Sequence, residues 1–417
     1  MSDPHHALAI SNGKNGSTWD AESARQAICT VTKEACLKTF GEKLEAILLT
    51  GSMGRREASF DFKEGRCKCL GDAEFMVVFK QKSELPSSLQ VQQVRESIES
   101  KLVLSAIHCA VDLSPINRDY LQKLPPHVFS YELKHGSTIV WGNTEILDVI
   151  PNFSVTDLSK EDAWRLLCNR LLELFECADE LTSGNEIISE QLEYKVAKLY
   201  LDMATSLLVF EGSYAPSYQL RREQLQQLAG QSPKQVLLGQ DLSVFALRVS
   251  ECTDKKLGVS GSSTKHNFPF CAEAIRQARG LWRSELVILT GKTDSLSDAQ
   301  LLDTWAKSQP FQQKIRGWLY IARAQGWHRS IRQWPKWLKM LWKGSPRYWI
   351  YSASCSLLFS LAEPASDQTV ANFSASKSRT ELPVLRSTAA SGTPSSWQEF
   401  AKDVLWNYKT FLVGTRV

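Results

Sequence analysis

A strand with two acidic residues at its polar end constrains this chain more than any other feature. In Gly71-Asp72-Ala73-Glu74 the acids alternate with small residues, and positions 75–79 continue as an unbroken apolar run. Such a run is typical of a strand that is buried on both faces. Because successive side chains of a strand point to opposite faces, we expect Asp72 and Glu74 on one face, about 6–7 Å apart.

A third acid, Asp112, is predicted on another strand. Ile107, Cys109, Val111 and Leu113 form an apolar alternation, which leaves Asp112 on the opposite face, where it has no role in the core. Three neighbouring carboxylates repel one another unless a cation lies among them. An all-oxygen set without Cys or His suits Mg²⁺ (or Mn²⁺) better than Zn²⁺. The acids therefore predict a site for a hard divalent metal.

A Gly-Ser turn precedes the acidic strand. Gly51 and Ser52 follow a predicted strand at Ala46–Leu49. A loop of small residues lets backbone N–H groups and a hydroxyl approach phosphate oxygens closely. Residues 59–68, between the turn and the acids, are predicted to be a polar hairpin or loop insertion.

Taken in this order, the motifs resemble the polymerase-β-like nucleotidyltransferase superfamily over roughly residues 40–145. The resemblance implies that Gly51 and Ser52 hold a triphosphate, and that Asp72 and Glu74 bridge two metals. It implies that Asp112 binds the metal that activates the acceptor hydroxyl. The layout is similar to that of aminoglycoside-type nucleotidyltransferases, in which a helical domain closes the active-site cleft.

The activity that the resemblance implies is transfer of a nucleoside monophosphate from a nucleoside triphosphate, such as ATP, to an acceptor hydroxyl, with release of pyrophosphate. The acceptor is not identified. A catalytically silent nucleotide-binding scaffold or regulatory protein is one alternative, and a nucleic-acid nucleotide-adding enzyme is another. The net charge of +4, from 49 basic and 45 acidic residues, argues against a nucleic-acid partner.

Further cations are candidates for nucleotide binding. Arg55, or its neighbour Arg56, follows the Gly-Ser turn and is a candidate for balancing charge on the leaving group. Lys195 and Lys198 share a helix face with Asp202, and Tyr214 and Arg221 follow in the sequence. That face is either solvated or in contact with the triphosphate or the base, and both interpretations stay open.

The predicted fold class is α+β, with a mixed sheet and helices followed by an all-helical bundle. We predict a disordered tail at 1–20, a nucleotidyltransferase domain at 21–156, a helical domain at 157–361, a disordered linker at 362–396, and a docked C-terminal helix at 397–417. Residues Phe129–Asn143 are expected to form a strand or hairpin. Ten scattered cysteines are typical of a reduced compartment and predict a cytoplasmic protein.

The segment at residues 327–349 combines five tryptophans with Lys and Arg residues. A basic amphipathic helix of this kind can lie on a membrane surface or meet an acidic partner. The alternative is a bundle helix whose tryptophans are buried in the core and whose lysines are exposed to solvent. We favour the core interpretation at this point.

Overall fold

The computed structural model describes residues 19–183, 187–231, 241–258, 268–292, 294–331, 333–362, 382–384 and 397–415. The chain is α+β, with a small sheet near the N-terminus and helices after it. It divides into two compact units. The first comprises Met1–Ser159, Tyr214–Arg221 and Thr253–Ser262, and the second comprises Lys160–Ser213, Arg222–Cys252 and Ser263–Val417. Most of the predicted tail and linker lies outside the described residues.

The first unit holds the sheet. In chain order its elements are α1 (Ala21–Phe40), β1 (Leu44–Leu49), α2 (Gly51–Gly54), β2 (Phe60–Lys63), β3 (Arg66–Phe79), α3 (Ser88–Leu104), β4 (Ile107–Asn117), α4 (Arg118–Gln122), α5 (Val128–Gly136) and β5 (Thr138–Gly142). The strand order is β2-β3-β1-β5, with β4 paired to β3. The β3–β4 pair is parallel and the other pairs are antiparallel, so the sheet is mixed as predicted. Strands β2 and β3 form the hairpin predicted for residues 59–68.

Strand β3 is buried on both faces where its sequence is apolar throughout. Phe75 and Val77 pack in a core with residues of α1 and α3. Met76 and Val78 pack on the other face, in a core that includes Leu133 of α5. The run at 75–79 is therefore apolar on both sides because helices cover both sides.

Helices α1 and α3 begin at side-chain caps. Asp20 accepts a hydrogen bond from the N–H of Ser23 at 2.7 Å, and Ser87 accepts one from the N–H of Gln90 at 3.3 Å. Each cap satisfies an N–H group that has no acceptor inside its helix.

The prediction for Phe129–Asn143 is wrong in its first half. Residues Val128–Gly136 form the helix α5, and only Thr138–Gly142 form a strand, which pairs with β1. The helix is held by tertiary contacts, since Leu133 is buried and Lys134 Nζ donates to the carbonyl of Ile150 at 2.5 Å. Packing of this kind overrides the strand preference of aromatic residues.

The described part of the second unit is helical. Its helices include α6 (Lys160–Glu173), α7 (Ala178–Leu181), α8 (Glu190–Phe210), α9 (Tyr218–Gln231), α10 (Leu242–Leu257), α11 (Phe268–Thr290), α12 (Asp298–Ser308), α13 (Phe311–Gln325), α14 (Trp327–Ile331), α15 (Trp334–Leu341), α16 (Pro346–Phe359) and α17 (Trp397–Thr415). The first residues of α9 and the last of α10 belong to the first unit. No helix in the described ranges is long and apolar enough to cross a bilayer.

The C-terminal part of the second unit contains a short buried stretch inside the predicted linker. Leu382 and Val384 are almost fully buried. The side chain of Asn407, on α17, accepts from the Val384 N–H at 2.9 Å and donates to the Val384 carbonyl at 3.0 Å. These three residues, 382–384, are fixed in place, which the absence of sequence periodicity did not predict.

The tryptophans of residues 327–349 divide into buried and exposed members. Trp337 is 4% exposed and donates its indole N–H to the Pro383 carbonyl at 2.8 Å. Trp334 is 41% exposed and Trp342 is 72% exposed. The core interpretation holds for Trp337 and is wrong for Trp334, Trp342 and also Trp327, which is 54% exposed.

We therefore expect Trp337→Ala to lower the free energy of unfolding by about 3–5 kcal/mol, because it opens a cavity and leaves a carbonyl unpaired. Trp334→Ala, a matched change three residues away, should cost less than about 1 kcal/mol. Urea denaturation of the two variants measures both values. Equal losses would contradict this division of the helix.

Candidate active site

The three acids predicted for the site lie together on the sheet. In the parallel β3–β4 ladder Glu74 is paired with Asp112, and Asp72 is paired with Ala110. Paired strands are about 4.8 Å apart, so Glu74 and Asp112 are lateral neighbours and Asp72 lies two residues along on the same face. All three are exposed, whereas the alternating Ala73 on the opposite face is buried. The strand alternation predicted this shared face.

The acids are electrostatically coupled. The surrounding protein partly desolvates the Glu74 carboxylate and so raises its pKa. The charges of Asp72 and Asp112 raise this pKa further, and the charge of Arg55 lowers it. Within this set, Asp72 and Asp112 repel the Glu74 carboxylate more strongly than Arg55 attracts it. An all-oxygen set with surplus charge fits a hard divalent cation.

Asp72, Glu74 and Asp112 suit a metal because all their donor atoms are carboxylate oxygens. Within the described ranges, no three His, Cys, Asp or Glu side chains form a ready-made metal-binding group. Mg²⁺ is usually held by one or two carboxylates together with substrate phosphates. The set of Asp72, Glu74 and Asp112 matches that mode of binding better than it matches a cage made of protein alone.

The Gly-Ser turn lies directly against the acidic strand. Residues Gly51–Gly54 form the single helical turn α2, and the N–H of Thr50 donates to the Glu74 carbonyl at 2.8 Å. Gly51 has φ +61°, and a Cβ there would lie 2.3 Å from Glu74 Oε2. The positive φ favours glycine, and any larger side chain would have to displace the Glu74 carboxylate. Ser52, the next residue, is half-buried. The turn and the acids therefore belong to one site.

Arg55 follows the turn and is held by two carboxylates. Its Nε lies 3.0 Å from Glu57, its Nη1 lies 2.9 Å from Glu132 of α5, and its side chain is only 6% exposed. Its stem also lies against Gly136, where a Cβ would come within 2.8 Å of Arg55 Cγ. This placement gives Arg55 the role of fixing the turn. Its predicted contact with nucleotide stays a prediction that these ion pairs do not favour.

The segment Tyr214–Arg221 completes this charged cluster. Arg221 forms an ion pair with Glu132, and the Tyr214 hydroxyl donates to the same carboxylate. Glu57 accepts the backbone N–H of Tyr218 at 2.7 Å. The guanidinium groups of Arg55 and Arg221 lie 5.3 and 4.9 Å from the centroid of the Tyr218 ring. We call Arg55, Glu57, Glu132, Tyr214, Tyr218 and Arg221 the arginine cluster.

The arginine cluster is balanced in formal charge, with two arginines facing two glutamates. Burial alone would raise the pKa of Glu132, but Arg221, Arg55 and the Tyr214 hydroxyl hold it below the ordinary value. The sequence indicated Tyr214 and Arg221 as candidates for nucleotide contact, and it did not indicate Glu57 or Glu132. The segments that meet here are far apart in the sequence, so no local pattern identified them.

Lys195 and Lys198 lie on α8, in the second unit. Lys195 Nζ is 2.7 Å from Glu176, and Lys198 Nζ lies 5.7 Å from the centroid of the Tyr194 ring. Burial and the charge of Arg170 lower the pKa of Lys198. Asp202 pairs with Arg170 at 2.5 Å. The side chains of this face therefore contact residues of their own unit and are not freely solvated. Their contact with nucleotide stays a prediction.

Comparison with known proteins finds no family model that matches the chain, and no curated protein matches it.

Proposed function

We propose that this chain is a metal-dependent nucleotidyltransferase, which transfers a nucleoside monophosphate from a nucleoside triphosphate to an acceptor hydroxyl. The observation that carries the proposal is the meeting of three acids on one face of the sheet with a glycine turn packed against Glu74. A solvated strand face needs neither the close approach of Gly51 to Glu74 nor three carboxylates gathered on one face.

Each residue of the site has a role in this proposal. The Gly51–Ser52 backbone and the Ser52 hydroxyl bind the phosphates, and Asp72, Glu74 and Asp112 hold Mg²⁺ or Mn²⁺. When bound, such cations neutralise phosphate charge and make the acceptor hydroxyl more acidic. The acceptor hydroxyl gives its proton to water, its oxygen bonds to the α-phosphorus, and the bond from that phosphorus to pyrophosphate breaks. Arg55 and Glu132 position the turn.

The test is transfer of label. Purified protein is incubated with Mg²⁺ or Mn²⁺, a soluble cell extract and each of the four common triphosphates labelled at the α-phosphate. We expect label to move to one extract component with one or more triphosphates, and to stop moving in EDTA. Glu64→Gln, an exposed acid at the tip of the β2–β3 hairpin, is the matched control for Asp72→Asn.

The outcomes separate the candidate functions. A small labelled product supports a small-molecule acceptor, whereas labelled RNA or DNA supports a nucleotide-adding enzyme. Nucleotide binding without transfer under any condition would favour the silent scaffold. Equal nucleotide affinity in EDTA and in Mg²⁺, measured by calorimetry, would contradict the metal site itself.

A further inference from the structure

Charge is distributed very unevenly along the second unit. Between Asp303 and Glu363 the sequence has no acidic residue and ten Lys or Arg residues, which leaves the remainder of the chain at a net charge of −6. The same interval holds seven of the thirteen tryptophans. A basic, tryptophan-rich stretch inside a chain that is otherwise acidic points to an anionic partner.

Two rows of large apolar side chains are exposed in this interval. On α13 the row consists of Phe311, Ile315 and Leu319, and along α14, α15 and the next residue it consists of Trp327, Ile331, Trp334, Leu338 and Trp342. Spacings of four residues place the α13 row on one side of that helix, and likewise Trp334, Leu338 and Trp342 on one side of α15. Exposed apolar residues are ordinary when scattered, but a contiguous set marks an interaction surface.

The two rows meet. The rings of Phe311 and Trp342 are stacked, with centroids 5.6 Å apart. The buried Trp318 and Trp337 also pack, with centroids 5.4 Å apart, and the Trp318 indole donates to the Gly344 carbonyl at 3.1 Å. These contacts join α13 to α15, the helices that carry five of the exposed side chains and lead to the adjoining Trp342. We call the eight exposed side chains of the two rows the apolar surface.

Cations flank the apolar surface on both helices. Lys339, Lys343 and Arg316 each come directly after an exposed apolar residue in the sequence. A step of one residue is a rotation of about 100° around a helix, so each cation lies beside the apolar row and not within it. All three are exposed. Lys314 and Lys336 behave differently, since their ammonium groups bond to the carbonyls of Lys307 and Leu382. The apolar surface therefore has a basic margin whose charges remain in water.

We propose that the apolar surface and its basic margin bind the anionic face of a lipid bilayer. An interfacial helix buries an apolar side that includes tryptophan while its cations stay at the level of the headgroups. Anionic lipids attract each such cation. Single-stranded nucleic acid would use the aromatic side chains for base stacking, but it gives no role to the exposed aliphatic residues Ile315, Ile331 and Leu338. The bilayer accounts for both kinds of side chain.

The test is co-sedimentation of the full chain with vesicles of phosphatidylcholine that contain or lack phosphatidylserine. We expect binding to the anionic vesicles that weakens as salt is added. Lys339→Glu with Lys343→Glu should weaken it at least about tenfold, since each cation near the surface contributes about fivefold. Leu338→Ser with Trp342→Ser should weaken it as much, with the melting temperature unchanged.

Matched controls lie in the first unit, where Lys101→Glu and Leu104→Ser alter an exposed cation and an exposed leucine on α3. They should bind vesicles like the unaltered chain. Three results would overturn the proposal: no binding to anionic vesicles, binding that the surface variants leave unchanged, or dimers in solution that those variants dissociate. RNA that binds more tightly than vesicles and depends on the same residues would assign the surface to nucleic acid instead.

Discussion

Asp72→Asn and Asp112→Asn should each lower nucleotide transfer by at least about 100-fold and leave the fold intact. Loss of a metal ligand removes several kcal/mol of transition-state stabilisation, and each 1.4 kcal/mol is about a tenfold change in rate. Because Asp112 is placed on the acceptor side, its variant should lose less nucleotide affinity than Asp72→Asn. Steady-state kinetics with labelled triphosphate and calorimetric titration measure the two effects.

The same variants should be as stable as the unaltered chain, or more stable, when no metal is present. Glu74 has a raised pKa, so the folded state binds more protons than the unfolded state, and the free energy of unfolding falls as the pH rises above the ordinary value of 4.5. Asp72→Asn and Asp112→Asn each remove a charge that raises the pKa of Glu74, so in these variants the free energy of unfolding should fall less as the pH rises.

Thermal melting with and without Mg²⁺ provides the decisive comparison. A ligand that binds only the folded state raises the melting temperature, so the unaltered chain and Glu64→Gln should respond to Mg²⁺ plus nucleotide. Asp72→Asn should respond much less. Unchanged transfer rates, or an equal response to Mg²⁺ in all variants, would show that the acids are only a solvated strand face.

Glu132→Gln should lower the free energy of unfolding by about 3–5 kcal/mol, the cost of removing one partner from a buried ion pair. Glu132 binds Arg55 and Arg221, whose side chains are only 6% and 4% exposed. Glutamine keeps the shape but cannot neutralise either guanidinium. Urea denaturation gives the loss, and Glu145→Gln, an exposed acid of the same unit, should show almost none.

A double variant tests whether the charge is the cause. Adding Arg221→Met to Glu132→Gln removes the cation whose charge Glu132 no longer neutralises, while Arg55 keeps its ion pair with Glu57, so the double variant should recover part of the lost stability. The losses of the two single variants should not add. If they do add, the two residues act independently and the arginine cluster is not one unit.

Glu132→Gln should also raise the KM for nucleotide more than it lowers kcat. Glu132 touches no part of the proposed reacting groups and acts through Arg55, which follows the Gly-Ser turn. A purely structural role would lower the amount of folded enzyme without changing KM. Glu132→Asp, which keeps the charge, should restore part of the affinity.

The sequence predicted what depends on short-range patterns. Alternation placed Asp72 and Glu74 on one face and Asp112 on a matching one, and the run at 75–79 predicted a strand covered on both sides. These patterns are local, because the side-chain period of a strand is set by its backbone. The caps at Asp20 and Ser87 are equally local, because each side chain accepts a hydrogen bond from a backbone N–H three residues further along the chain.

What the sequence did not predict depends on contacts between distant segments. The sequence indicated Arg55 as a candidate for nucleotide contact but did not indicate its ion pair with Glu132, which lies in a segment predicted as a strand or hairpin. The helix α5 owes its conformation to burial of Leu133 against the sheet, which no window of nine residues contains. Likewise, Trp334 and Trp337 differ only in which neighbours pack against them.

The composition of the first unit has a consequence for how the protein is made. Tyr214–Arg221 belongs to that unit, although the ribosome synthesises Lys160–Ser213 of the second unit before it. At about 5–20 residues per second, the stretch from Ser159 to Arg221 takes roughly 3–12 s to synthesise. During that interval the nascent sheet carries Glu132 and Arg55 without Arg221 to pair with the glutamate. A gene fragment that stops at Ser159 encodes all three acids and the Gly-Ser turn. It lacks Arg221, however, so the ion pair between Glu132 and Arg221 cannot form in its product.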